Sequence, residues 1–254
     1  MTPVPPTDEE PGGNQQLAIY SDSVFYVSDA KQNLIKPVTN KSGTFAAFPD
    51  GLKIDETTGE IDISKSETGL KYEVTFQPSD APGKTEKAYL TISGINYEDK
   101  IYNLSKGDSL ATPIYNANSH QTLPGGAVNL FDEGEKCKKA GIIINSKNGL
   151  INLAQTVREQ RIDTGATEQV KLAYRINDPS NKALNGLEMK VYFYRTVAEI
   201  PSYLTELLSE RKGTILTANN NTAQNSRIAI QSVQVAKSTR PARPRPPCII
   251  VVSR

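Results

Sequence analysis

Tryptophan is absent from this 254-residue chain, histidine occurs once, and there are only two cysteines and two methionines. Each scarcity removes a class of chemistry. A Ser-His-Asp hydrolase would have to use His120, in "NANSHQT", yet no nucleophile-elbow motif accompanies it, so His120 reads as a solvated loop residue. Cys137 and Cys248 fit neither a metal-site spacing nor a CxxC redox pair. They read either as two unpaired thiols or as a disulfide tying the C-terminal tail to the second half of the chain. No run of 18 or more apolar residues is present, so no helix long enough to span a membrane is expected. Charge of one sign is also missing: 29 Lys plus Arg face 28 Asp plus Glu, which leaves no global attraction to nucleic acid or to an anionic bilayer. "LPGGAVNLF" (123–131) lacks the spacing of a phosphate cradle, and the adjacent carboxylates Asp132/Glu133 and Glu9/Glu10 sit in polar stretches. The expectation is a non-enzymatic protein without a cofactor.

What is abundant is Thr, Ser, Asn, Gly and Pro, a composition suited to short strands joined by turns. Residues 1–16, beginning "MTPVPPTDEEPGG", hold too little apolar surface to fold and read as an extended linker. A chain that opens on a linker implies a preceding segment, either a signal or a lipid anchor.

The stretch "GLKIDETTGEIDI" (51–63) aligns without a gap on "GIIINSKNGLINL" (141–153), an offset of 90. "LAIYSDS" (17–23) echoes "TPIYNAN" (112–118), and "KYEVTFQP" (71–78) echoes "VKLAYRIND" (170–178). A period near 90 is too long for a solenoid repeat and matches the size of a small β-sandwich. Alternation at Leu52/Ile54, Ile61/Ile63 and Tyr72/Val74/Phe76 in the first copy, and at Val170/Leu172/Tyr174 in the second, predicts strands. The resulting expectation is all-β: antiparallel sandwiches in tandem at 17–104 and 105–198, then a C-terminal extension at 199–254. Within that extension "SYLTELLSERKG" is the one clear helix, placed at 202–212. Ser202 would cap it, and Tyr203, Leu204, Leu207 and Leu208 would share a face. Strands are expected near 227–235 and at 248–252, where "CIIVV" follows the Pro-rich "KSTRPARPRPP". An apolar strand of that kind must be buried at a sheet edge, in its own chain or in a partner subunit.

Four acids crowd residues 51–62, and the repeat tests their purpose. Copy two keeps the glycines and the apolar alternation, but Asp55, Glu56, Glu60 and Asp62 become Asn145, Ser146, Leu150 and Asn152. A metal site would be lost while a turn would survive, because Asx accepts backbone N–H bonds and Gly takes positive φ. The turn reading prevails over the alternative, a calcium site at Asp55, Glu60 and Asp62, whose spacing also misses the EF-hand pattern.

"FPDGLKIDETTGEIDISKSETGLKYEVTF" (48–76) resembles the Ig-like and cadherin-like modules of bacterial surface proteins, notably those of Bacteroidetes. Their "PxGLxIDxxTGxIxG…G.Y.VT" pattern is matched by Pro49, Gly51, Leu52, Ile54, Asp55, Thr58, Gly59, Ile61, Gly69, Tyr72, Val74 and Thr75, with Ser64 in place of a Gly. "DSV" (22–24) and "DSL" (108–110) resemble an O-glycosylation tripeptide of the same group. The resemblance implies a lipid-anchored outer-membrane or extracellular location and a role as adhesin, spacer or envelope-assembly unit. The alternative it implies is a glycan-binding surface lipoprotein of a polysaccharide uptake system. The partner would be a protein or a surface glycan. "EMKVYFYRTV" places Tyr192 and Tyr194 on one face as a candidate contact surface, and the basic tail (Lys237, Arg240, Arg243, Arg245) reads as a solvated linker.

Overall fold

The computed structural model describes residues 19–29, 33–38, 40–160, 165–211 and 245–254. The linker expected at 1–16 and the strand expected at 227–235 lie outside these residues. Strands dominate. In the first half they are β1 (Val24–Phe25), β2 (Leu34–Ile35), β3 (Gly43–Phe48), β4 (Ile61–Asp62), β5 (Leu70–Pro78) and β6 (Glu86–Ile92). The second half holds β7 (Ile95–Asn96), β8 (Lys100–Asn103), β9 (Leu110–Ala111), β10 (Ile114–Tyr115), β11 (Leu130–Phe131), β12 (Ile151–Asn152), β13 (Thr167–Arg175), β14 (Asn185–Tyr194) and β15 (Cys248–Val252). Among the described residues three α-helices accompany them: α1 (Lys136–Lys139), α2 (Leu153–Gln160) and α3 (Ser202–Arg211).

The period-two pattern acts as read. Along β5 every second side chain is buried, so Tyr72, Val74 and Phe76 enter an apolar cluster with Phe45, Ile61, Leu90 and Ile92. β13 and β14 do the same for a second cluster around Leu172, Tyr174, Leu187, Met189, Val191 and Phe193. Two larger sheets carry these clusters. One has the order β1-β6-β5-β3, the other β11-β13-β14-β15-β8, and the pairs β2–β4, β9–β12 and β7–β10 complete the strand pairing.

The structure redraws the repeat in three places. The hydroxyl of Tyr20 donates to the Gly59 carbonyl, and the counterpart donating to Gly149 is Tyr97, not Tyr115. Tyr115 turns instead to Asp178. The true echo of "IYSD" (19–22) is therefore "NYED" (96–99), and Ile95, Tyr97 and Tyr102 pack in the second cluster, so copy two begins before residue 105. The offset grows from 77 at these tyrosines to 90 at the repeated turn and 97 at the start of β13. The first increment lies in the loop region around His120, and the second is α2.

The strand expected across Ile61 and Ile63 stops at Asp62, and its twin stops at Asn152. In copy one a single 3-10 turn follows, with the Asp62 carboxylate drawn to Lys65 at 2.7 Å. In copy two Asn152 Oδ1 accepts from the Gln155 backbone N–H and caps α2. Thus α3 is not the one helix of the chain. On α3 itself Leu204 is buried and Leu207 and Leu208 pack partly, while Tyr203 is 58 % exposed and faces solvent.

Candidate functional site

The two turns of the repeat superimpose bond for bond. Asp55 Oδ1 accepts from the backbone N–H groups of Thr57 and Thr58, and Asn145 Oδ1 accepts from those of Lys147 and Asn148. Gly59 and Gly149 follow at φ 68° and 71°, in the left-handed region. A Cβ on Gly59 would meet the Phe45 ring, and one on Gly149 the Phe131 ring. The Ser66 hydroxyl bridges the Lys53 N–H and the Asp62 carbonyl, as the Thr156 hydroxyl bridges the Ile143 N–H and the Asn152 carbonyl. The acids of copy one serve separate partners. Asp55 holds the turn and its pKa is lowered by those backbone bonds, chiefly that from Thr58; Glu60 faces Lys36 at 3.5 Å, and Asp62 faces Lys65. Among the described residues no three His, Cys, Asp or Glu side chains converge as metal ligands.

The most unusual chemistry lies where the two copies meet the tail. Between β6 and β7, Gly94 takes φ 142°, and a Cβ there would collide with the Tyr174 hydroxyl. That hydroxyl sits 2.8 Å from Thr68 Oγ1 and accepts from the Ile95 N–H, while the Gly94 N–H donates to Asn116 Oδ1. Asn96 Nδ2 donates to the Thr68 carbonyl and to Glu67 Oε1. From this junction a charge cluster extends to the tail. Asp99, with a side chain 4 % exposed, receives Arg211 Nη1 at 3.1 Å, Arg245 Nη2 at 3.0 Å and the Cys248 N–H. Glu67 Oε2 accepts from the Arg245 N–H, and burial pushes the Glu67 carboxyl up to about 8 against the pull of Asn96, Arg245 and Arg211.

The tail segment held by this cluster becomes β15, which lies between β14 and β8 and runs parallel to both. Ile249 and Val251 enter the second cluster; Cys248, Ile250 and Val252 enter a third with Tyr192, Ile200 and Leu204. A strand buried on both faces explains the unbroken apolar run "CIIVV". Of the surface expected at Tyr192 and Tyr194, Tyr192 is consequently buried within the chain beside α3 and β15, while Tyr194 stays half-buried at the edge of the same cluster. Cys137 and Cys248 are both buried and free, in different clusters, so no disulfide ties the tail; the strand ladders and Asp99 do. Burial pushes both thiols up, that of Cys248 to about 11. Arg245 leaves the basic linker for this buried pairing, whereas Lys237, Arg240 and Arg243 lie outside the described residues.

Elsewhere the motifs fall as structure. Asp132 accepts from the Cys137 and Lys138 N–H groups at the start of α1, and Glu133 pairs with Arg175 at 2.6 Å. His120 is exposed in its loop. Ser23 of "DSV" is exposed, and the Ser109 carbonyl of "DSL" accepts from the Leu153 N–H. Among the described residues no helix is long and apolar enough to cross a membrane. A separate open cleft of about 400 Å³ is lined by Ser23, Tyr26, Lys71, Tyr89, Asn116 and Asn118 among others. The Lys71 ammonium stands 5.7 Å from the centre of the Tyr89 ring, which is 53 % exposed. Across it, Asn116 and Ala117 both take left-handed backbone, closed by the Asn118 N–H to the Tyr115 carbonyl.

No family model matches the chain, and no curated protein matches it. Among solved structures it is similar to "Crystal structure of Drosophila N-cadherin EC1-4", at 12 % identity over 67 % of this chain and 47 % of that one, with a TM-score of 0.20. The chain thus spans about half the length of that structure's chain, and a superposition score so low defines no common fold.

Proposed function

We propose that the chain is a non-enzymatic spacer or assembly unit of a bacterial cell surface, built from two Ig-like sandwiches in tandem. Their sheets are mixed rather than purely antiparallel, because β1 runs parallel to β6 and β15 runs parallel to β14 and β8. The observation that carries this reading is the junction: Thr68, Gly94, Asn96, Asn116 and Tyr174 interlock the two copies through directional hydrogen bonds. A buried polar contact is satisfied in one relative orientation and costs about 1–3 kcal/mol per group when broken, so it stiffens the pair. Stiffness along the chain is what a spacer needs. A second reading, glycan binding, draws on the cleft beside Tyr89, where aromatic faces, hydroxyls and amides meet in the combination that holds sugars. A glycan array carrying the full chain, run beside photo-crosslinking on the surface of the producing cells, separates the two. Crosslinks to envelope proteins with no glycan retained support the spacer. Specific micromolar retention that Tyr89→Ala abolishes replaces it with the second reading.

A further inference from the structure

The two copies differ by one strand. In copy one β1 lies directly against β6, parallel, with Val24 opposite Thr91 and Phe25 opposite Ile92. In copy two the counterpart of β1, β8, never touches β14, because β15 stands between them, pairing Lys190–Tyr194 on one side and Lys100–Asn103 on the other. With strands spaced about 4.8 Å apart, β8 and β14 border a slot one strand wide, roughly 9.6 Å across. An empty slot would present two unpaired strand edges and the apolar walls of two clusters, so some strand must fill it.

Everything that recognises the strand is addressed to residues 245–254 alone. Two main-chain ladders hold β15; Asp99 and Glu67 hold the Arg245 and Cys248 groups at its start; the Tyr194 and Arg195 carbonyls accept from the Ser253 and Arg254 N–H groups at its end. None of these bonds depends on which molecule supplies the segment. The connection to α3 is 33 residues of sequence, 212–244, with a contour of up to about 110 Å, enough to reach a neighbouring molecule. Copy one shows that a sheet of this kind closes without an inserted strand, so the slot is a built feature of copy two.

Resting on the assembly reading above, we propose that the slot is the site of self-assembly: residues 245–254 of one molecule seat between β8 and β14 of a second copy of this chain. The tether sets the conditions. A connection of that length keeps the strand near its own slot at an effective concentration on the order of millimolar, so dilute molecules fill their own slots. Molecules crowded to comparable density, or folded together, exchange strands, because the bonds formed with a neighbour are identical to those broken at home.

Arg195 is exposed and its carbonyl lies 3.5 Å from Ser253 Oγ, which gives a reporter at the end of the strand. Full-length Arg195→Cys and Ser253→Cys chains are unfolded, refolded together near millimolar concentration and oxidised. A chain carrying both substitutions, refolded dilute, serves as the internal-closure control. The expected result is a covalent heterodimer from the mixture, lost when the two chains are refolded apart and then combined dilute. Unsubstituted chain refolded at the same density is expected to show dimers or larger species by light scattering. Monomer alone by scattering, or internal closure in the control without heterodimer in the mixture, overturns the proposal. Either result would make β15 an intrachain seal and leave the spacer reading standing; that reading falls only to glycan retention.

Discussion

Copy one and copy two share a turn down to individual hydrogen bonds, yet they finish their sheets differently. In copy one the parallel pair β1–β6 is local to the copy, and its cluster is completed almost wholly by residues 19–92, with Ala183 added from the approach to β14. In copy two the corresponding pairing is interrupted by a strand from the tail, and the same C-terminal region brings two arginines onto a carboxylate of the junction. A repeat thus fixes its hairpins by short-range chemistry while leaving its sheet edges open to whatever segment the rest of the chain supplies.

The largest way to break this comparison is at the slot. Asp99→Ala leaves two guanidinium groups without their carboxylate, and removal of one member of a buried ion pair costs about 3–5 kcal/mol. Ile250→Ala, deep in the third cluster, should cost about 2–5 kcal/mol. Phe45→Leu in copy one should leave protection of the β15 amides intact, whereas Asp99→Ala and Ile250→Ala should abolish it first. Urea titration with amide exchange reads both; β15 amides that stay protected in the Asp99 variant would show that the ladders hold the strand without the charge cluster.

A smaller effect sharpens the equivalence of the turns. Gly59→Ala and Gly149→Ala each force a side chain into left-handed backbone against an aromatic ring, for an expected loss of about 1–3 kcal/mol apiece. Denaturant midpoints should fall by similar amounts. If one turn tolerates alanine, the two are alike in hydrogen bonding and unlike in packing.

A further contrast is a titration that only copy one and the tail can show. Burial raises Glu67 from its ordinary 4.5 to about 8 in the folded chain, where Arg211, Arg245, Asn96 and Tyr72 face it and Asp99 shares the arginines. The folded state therefore keeps a proton that the unfolded chain has lost, so the Glu67 contribution to stability should fall as pH rises from about 4.5 to about 8 and be flat outside that window. Glu67→Gln should flatten the slope. Asp55 shifts the opposite way: its bonds to Thr58 and Thr57 lower its pKa below 3.8, so its contribution is full above that value and is lost as pH falls through the lowered pKa. Acid should then loosen the Thr57 and Thr58 amides and spare Lys147 and Asn148, whose turn is held by Asn145. Equal loosening of both pairs would show that the carboxylate does not carry the first turn.

These contrasts also separate what could be read from residues alone. The turn was legible because Asx and Gly act within four residues of themselves. β5 and β13 were legible because alternation reports a sheet with one buried face. α2 was missed because its signals, Asn152 as cap and Leu153 four residues before Val157, continue a strand pattern copied from a region where Asp62 prefers Lys65. Tyr203 was misplaced because the apolar stripe of α3 is short and the partner surface that chooses its buried face, Tyr192 and Ile250, lies elsewhere in the sequence.

By itself the sequence determined the mostly β character, the repeated hairpin and the apolar strand at 248–252, since backbone sterics, local hydrogen bonds and side-chain periodicity act over a few residues. Only the tertiary structure decided that Tyr97 takes the part of Tyr20, that Asp99 receives Arg211 and Arg245, and that β15 enters between β14 and β8. Those pairings join residues from 52 to 149 positions apart, from Tyr97 with Gly149 to Asp99 with Cys248. Their stability comes from burying charge and apolar surface together, a property of the assembled core that no short stretch of chain possesses.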